Sequence, residues 1–298
     1  MNISWKGVFP AVTTKFDAQG ALDIPAFQHN LRAQIAAGVD GLIVGGSLGE
    51  SSTLDWDERL ELLAAALETA AGRVPVLLNV AEGSTRNAIR LAQKAQAAGA
   101  QGLMLLPPMM YRATDRETTD FYKETASETD LPILVYNNPV DYKIEIKPEM
   151  FDELLRLDNI QAVKESTRDI SNVTRLRTRF GDRLRILCGV DTLALESLLL
   201  GADGWVAGLV CAFPAETVAL YRHALAGELE AARALYRWFL PLLELDIHPQ
   251  LVQNIKLAES LTGLGTEFVR KPRQPLRGPE RERVLQIIQS GLDTLHKK

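Results

Sequence analysis

Lys164 closes a short apolar run at residues 160–163, within QAVKEST, and Tyr136 closes another at residues 133–135, ahead of NNP. An amine walled by apolar side chains has a lowered pKa, because burial disfavours its charged form. A neutral amine attacks a ketone and forms a Schiff base, an electron sink that eases the breaking of neighbouring bonds. That chemistry needs a proton shuttle, and a tyrosine hydroxyl at a neighbouring position supplies one. It also needs donors for an acidic substrate, and the glycine-rich turn at residues 45–49 offers backbone N–H groups as an anion nest. A plainer reading stands beside this one: Lys164 pairs with a nearby carboxylate, and Tyr136 is a core aromatic with a satisfied hydroxyl. Position alone leaves both open.

The elements around these residues repeat. AQIAAGVDGLIVGG (33–46), AQKAQAAGAQGLMLLPP (92–108) and LESLLLGADGWVAGLV (195–210) share one grammar. An Ala/Leu-rich stretch at helical spacing ends at Gly38, Gly99 or Gly201, which fits a helix C′ position where a positive φ costs least. After two intervening residues a second glycine, Gly41, Gly102 or Gly204, precedes an apolar run of strand length. Strands are expected at 8–13, 42–44, 76–80, 103–106, 133–136, 160–164, 184–188 and 205–207. They are apolar throughout rather than alternating, the mark of a parallel sheet covered on both faces. Eight such units predict an α/β fold, a (β/α)8 TIM barrel, over residues 1–224. The competing doubly wound sheet usually carries a glycine fingerprint after its first strand, and FPAVTTKFDAQG has no GxGxxG. Residues 225–298 read as a C-terminal α-helical extension without strand pattern. In such a barrel the C-terminal strand ends form the active site, which places Lys164 and Tyr136 at one mouth.

Composition narrows the partners. The chain has 298 residues, 46% hydrophobic and 24% charged, with a net charge of −5 and both signs interspersed, so no nucleic-acid surface is indicated. VRKPRQPLRG is the one basic cluster and reads as a solvated or subunit-facing segment. No apolar run is long enough to span a bilayer. The two cysteines, Cys188 and Cys211, form no CxxC, which fits a reducing, cytoplasmic setting. His29, His223, His248 and His296 are widely separated and show no metal-ligand spacing, so no metal is expected.

Several motifs together resemble one family, the dihydrodipicolinate synthase/N-acetylneuraminate lyase family of Schiff-base aldolases. GVFPAVTTKF resembles its opening strand, GGSLGESSTL its GxxGE carboxylate-binding loop, VYNNP its YN-x-P motif, AVKEST its lysine strand and GADGWVAG its last strand. The resemblance covers the whole chain in order. It implies Lys164 as the imine-forming nucleophile and Tyr136 as the proton-transfer residue. It implies that Ser47 and the Leu48 backbone receive a 2-keto acid carboxylate, with the Val206 carbonyl nearby. It also implies a homotetramer, a dimer of dimers, and no cofactor, since the lysine imine does that work.

The departures bear on the substrate. Synthases of the family usually carry two threonines in the GxxGE loop, part of a proton relay; here the pair is Ser47 and Leu48, and leucine passes no proton. They also place an arginine after YN-x-P for the aldehyde's carboxylate; NNPVDYK offers Asn138, Asp141 and Tyr142 instead. After strand four stand Met109, Met110 and Tyr111, and Tyr111 is either a relay tyrosine contributed across a dimer or an interface aromatic. The expectation is a lyase acting on a small 2-keto acid or cyclic imine, such as a 1-pyrroline-4-hydroxy-2-carboxylate deaminase or a 2-keto-3-deoxy sugar acid dehydratase or aldolase. The alternatives are the synthase itself, condensing pyruvate with aspartate semialdehyde, and a non-catalytic binding member of the fold.

Overall fold

The computed structural model describes residues 3–295; His296 lies outside them. Eight strands, β1 (Gly7–Pro10), β2 (Leu42–Val44), β3 (Val76–Val80), β4 (Gly102–Leu105), β5 (Ile133–Asn137), β6 (Ile160–Glu165), β7 (Arg185–Cys188) and β8 (Gly204–Ala207), are all parallel and follow the order β1-β8-β7-β6-β5-β4-β3-β2. A parallel bridge between Ala11 and Ile43 joins β1 to β2, with the Val12 N–H donating to the Ile43 carbonyl at 2.9 Å. The sheet is thereby closed into the (β/α)8 barrel that the apolar strand pattern predicts.

All eight expected strands form, within a few residues of their expected bounds. The first is the one most shortened. Its pairing ends at Ala11, because Thr13, Thr14 and Lys15 turn to other partners. Thr14 Oγ1 donates to the Gly49 carbonyl at 2.6 Å, while Thr13 Oγ1 donates to Glu259 at 2.5 Å.

Nine helices, α1 (Ile24–Ala37), α2 (Trp56–Ala70), α3 (Thr85–Ala97), α4 (Asp115–Ser127), the single turn α5 (Pro139–Tyr142), α6 (Pro148–Leu154), α7 (Ser171–Phe180), α8 (Ala194–Leu199) and α9 (Pro214–Leu225), surround the strands. Their starts are encoded locally: Asp23, Asp55, Ser84 and Thr114 each cap a helix N-terminus through the side chain. Gly38, Gly99 and Gly201 do adopt left-handed φ values of 92°, 88° and 101°, as their place after a helix requires.

β6 carries one irregularity. Ile160 faces Ile133 and Ala162 faces Leu134, so Gln161 is an extra residue on the β6 side. Its Oε1 accepts from Trp5 Nε1 at 2.8 Å. Beyond the bulge the pairing runs true, and Tyr136 lies directly beside Lys164.

Three further helices, α10 (Leu229–Leu243), α11 (Leu251–Leu261) and α12 (Gly278–Leu295), follow the barrel. Trp238 and Phe239 of α10 stack at 5.3 Å between centroids, and Phe213 meets Phe239 edge-on at 6.0 Å. Two ion pairs with no solvent exposure bind α11 to the barrel mouth: Lys15–Glu259 at 3.1 Å and Lys256–Glu50 at 2.5 Å. Glu50 belongs to the GGSLGE loop, so the extension holds that loop from outside. Among the described residues no helix is long and apolar enough to cross a membrane, and no cluster of His, Cys, Asp and Glu could hold a metal ion.

Candidate active site

Strand alternation decides which side chains enter the barrel mouth. On β6, Lys164 points inward and is 7% exposed, while Glu165 points the other way. Glu165 accepts from the Thr167 N–H at 2.8 Å, Asn172 Nδ2 at 2.8 Å and Asn137 Nδ2 at 3.2 Å, tying the ends of β5 and β6 to α7. Asn137 in turn pins Ile146, accepting from its N–H at 2.9 Å and donating to its carbonyl at 3.2 Å. These bonds fix the segment that carries α5 over the pocket.

Lys164 Nζ lies 4.0 Å from the centre of the Tyr136 ring. Burial lowers the lysine pKa from its ordinary 10.5, against weaker opposing effects of Tyr142, Asp246 and Asp191. Burial also pushes the Tyr136 hydroxyl up to about 12, partly relieved by Asn138, whose Nδ2 donates to Tyr136 Oη at 3.2 Å. The pocket therefore favours an uncharged amine beside a protonated phenol, the forms that attack a carbonyl and give up a proton.

The other expected residues fall around this pair. Ser47, Leu48, Asn138 and Val206 all line the same pocket as Lys164 and Tyr136. The N–H groups of Ser47 and Leu48 donate to no acceptor among the described residues, leaving two donors at the anion-nest position. Ser47 Oγ is hydrogen-bonded to Tyr142 Oη, and the Tyr142 ring meets Tyr136 edge-on at 5.5 Å. Leu48 is buried, with no hydroxyl to offer. Asn138 also donates to Asp141 at 2.7 Å and caps α5. The loop after Val206 is held by Asp191, which accepts from Trp205 Nε1 at 2.9 Å, Gly208 N–H at 3.1 Å and Leu209 N–H at 2.8 Å.

Tyr111 stands apart. It is 53% exposed and lines a neighbouring open groove with Met109 and Lys147 rather than the Lys164 pocket. Within one chain the tyrosine that meets the Ser47 hydroxyl is Tyr142.

Ser166, Arg168, Gly189 and Asp246 also line the pocket, among residues to which the sequence reading assigned no role. Ser166 was within reach of it, because it lies two residues after Lys164 and so shares its face. Gly189 allows a close approach: a Cβ there would come within 2.6 Å of Lys164 Cγ and 2.1 Å of Ser166 Oγ. Asp246 comes from the segment between α10 and α11, and no local pattern marks it.

Comparison with known proteins agrees with the strand-end geometry. The model of the dihydrodipicolinate synthetase family matches residues 4–291. A curated 4-hydroxy-tetrahydrodipicolinate synthase of Syntrophobacter fumaroxidans is 31% identical over 287 residues, spanning 96% of this chain and 98% of that protein. The solved 4-hydroxy-tetrahydrodipicolinate synthase of Methylacidiphilum fumariolicum superposes with a TM-score of 0.93 at 29% identity, over 98% of this chain and 97% of the other. A putative dihydrodipicolinate synthetase from Pseudomonas aeruginosa gives 0.91 at 32% identity, over 96% and 99%. Members of this family are aldolase-type lyases that work through a lysine Schiff base. With its fold, its full-length match and an amine seated at the mouth of the barrel, the chain belongs to the dihydrodipicolinate synthetase family and is an enzyme of that class.

Proposed function

We propose that Lys164 is the imine-forming nucleophile and that Tyr136 carries the proton for carbinolamine formation and collapse. The observation that carries this reading is the shared register position of the two residues on neighbouring strands, with the amine 4.0 Å from the phenol ring in a buried pocket. In the same reading the Ser47 hydroxyl and the Ser47 and Leu48 N–H groups receive the substrate's 2-carboxylate. Val206 forms the opposite wall and Asn138 tunes Tyr136. No cofactor is called for, since the imine is itself the electron sink.

The substrate in this reading is a small 2-keto acid or a cyclic imine that loses water, ammonia or an aldehyde. A 1-pyrroline-4-hydroxy-2-carboxylate deaminase or a 2-keto-3-deoxy sugar acid dehydratase or aldolase has that character. The supporting features are Leu48, which interrupts the relay expected of a synthase, and the α5 turn, which presents Asn138, Asp141 and Tyr142 without an arginine. A second reading is 4-hydroxy-tetrahydrodipicolinate synthesis from pyruvate and aspartate semialdehyde. It is favoured by the names of the curated relatives, and by Arg168, an arginine among the residues lining the pocket.

Borohydride reduction with pyruvate tests the first step: mass added at Lys164 supports the imine, and a folded protein without an adduct overturns it. A coupled assay with pyruvate and aspartate semialdehyde, run beside a panel of 2-keto acids and the hydroxy-pyrroline carboxylate, separates the two readings by which substrates turn over.

Three wider features belong to the same reading. Residues 1–224 are the catalytic barrel and 225–298 its extension, a division supported by the end of α9 at Leu225. The chain assembles as a homotetramer, a dimer of dimers, with the exposed Met110 and Tyr111 suited to a subunit face; sedimentation velocity tests this. A cytoplasmic setting is supported by two free, buried cysteines, Cys188 and Cys211.

A further inference from the structure

A nest of backbone N–H groups receives an anion only when the carbonyls around it are turned aside. In the turn at residues 45–49 the N–H groups of Ser47 and Leu48 donate to nothing among the described residues, while four carbonyls are occupied. Two are taken within the loop. The Gly46 carbonyl accepts from the Ser51 N–H at 3.1 Å, and the Ser47 carbonyl accepts from the Glu50 N–H at 3.1 Å. The other two are taken by side chains from elsewhere in the barrel. The Gly45 carbonyl accepts from Asn79 Nδ2 at 3.0 Å, and the Gly49 carbonyl accepts from Thr14 Oγ1 at 2.6 Å.

Bonds inside a loop give it a shape, but only bonds to other elements fix where that shape sits. Asn79 and Thr14 grip the turn at its two ends, on either side of Ser47 and Leu48. Asn79 lies on β3 in register with Met104, a pocket-lining residue, so both enter the barrel on one face. Asn79 has no solvent exposure and is not itself part of the pocket lining. Its Oδ1 has no donor among the described residues, so the bond to Gly45 is what the amide contributes. A buried amide that leaves an acceptor unpaired is a costly choice for packing alone. Thr14, 1% exposed, stands just past the end of β1. Its hydroxyl reaches Gly49 where the turn presses on that strand's continuation: a Cβ on Gly49 would lie 2.8 Å from the Val12 carbonyl oxygen.

We propose that Asn79 and Thr14 are positioning residues that set the enzyme's preference for a ketone carrying a carboxylate on its carbonyl carbon. Neither touches the substrate. Each holds one carbonyl of the turn aside, so that the Ser47 and Leu48 N–H groups converge on the carboxylate. This rests on the Lys164 imine and on the carboxylate site given above. Releasing either grip lets the nest drift, and the loss falls on the carboxylate rather than on the carbonyl under attack.

The test is borohydride trapping on Lys164 of the full-length enzyme, read by intact mass, with pyruvate and with hydroxyacetone, which carries a hydroxymethyl group where pyruvate has its carboxylate. Asn79→Leu and Thr14→Val each remove one donor at nearly constant volume. Each should raise the half-saturating pyruvate concentration about 10-fold, with a smaller fall in the limiting rate, and lower the ratio of pyruvate to hydroxyacetone trapping about 10-fold. Thr14→Ser keeps the hydroxyl and should recover most of the loss. Thermal unfolding checks that the variants are folded, and Asn79→Asp, which keeps the shape without the donor, replaces Asn79→Leu if that variant does not fold. A merely structural role would lower trapping of both ketones together and leave the ratio unmoved. Three results overturn the proposal: half-saturation within about 2-fold of wild type in the folded variants, an equal loss with both ketones, or Thr14→Ser no better than Thr14→Val. Failure of wild type to trap pyruvate would instead sink the imine, and equal trapping of the two ketones by wild type would sink the carboxylate site at Ser47 and Leu48.

Discussion

Replacing Lys256 by methionine removes the cation that faces Glu50 beneath the GGSLGE loop. Both side chains have no solvent exposure, and their charged atoms are 2.5 Å apart. With an effective dielectric near 20 the attraction at that distance is about 7 kcal/mol, most of it spent on removing two ions from water. The net value of the pair is therefore small, but the cost of leaving one ion behind is not, at about 3–5 kcal/mol. Glu50 keeps two partial substitutes, the Arg270 N–H at 3.1 Å and the Arg273 guanidinium at 3.8 Å, which place the expected loss near the lower end, about 3 kcal/mol. For a chain of this size that corresponds to a fall in Tm of about 6–12 °C. Equilibrium denaturation and thermal scanning measure it. A second change, Glu50→Gln in the Lys256→Met background, should recover at least about 1 kcal/mol, because a neutral amide costs less to bury than a lone carboxylate. A single variant as stable as wild type, or a double variant less stable than the single, would refute the reasoning. Because Glu50 anchors the loop bearing Ser47 and Leu48, KM for the 2-keto acid should also rise in the single variant.

In the proposed role Lys164 would react as the neutral amine, and its pKa is depressed by burial, so pyruvate trapping should have an acid limb whose midpoint lies below 10.5; a midpoint at or above that value contradicts the burial argument. Lys256 titrates at about 8 in the fold and higher when unfolded, so the unfolded chain binds more protons in between and stability should rise with pH from about 8 to 10.5, a slope that Lys256→Met should abolish in urea titrations. Tyr142→Phe removes the partner of Ser47 Oγ and should raise KM for 2-keto acids about 10-fold with little change in kcat, measured by steady-state kinetics. Gly189→Ala drives a methyl into Lys164 and Ser166 and should cost about 1–3 kcal/mol of stability and most of the trapping rate; wild-type trapping would mean that the β7 end yields more easily than its packing implies.

The legible part of this site was the part written along single strands. Lys164 and Tyr136 each close an apolar run, and counting runs was enough to gather them at one mouth; Val206, inside the last run, was marked by the family resemblance alone. The Ser47–Leu48 turn was visible through its glycines. What escaped was whatever depends on how separate elements lean on one another. Tyr142 reaches Ser47 only because the one-turn helix α5 is held over the pocket by Asn137 and Asn138, and four residues carry no periodicity to read. Asp246 arrives from the turn between α10 and α11, 82 positions beyond Lys164, in a stretch whose sequence says only helix. Lys15, Glu50, Lys256 and Glu259 look like surface charges in a linear reading; only the docking of α11 on the barrel buries them as pairs.

The bulge at Gln161 gives β6 two phases. Below it the strand is keyed to Ile133 at the base of the barrel, and above it to Tyr136 at the mouth. One spare residue lets these two keys be set independently, so the base can be tuned for packing without turning the mouth. Removing that residue would restore one-to-one pairing, with Ile160 still opposite Ile133 and Lys164 still opposite Tyr136. The bulge is thus a spare position in the strand, one that a single deletion between base and mouth can consume without exchanging the side chain that the mouth presents.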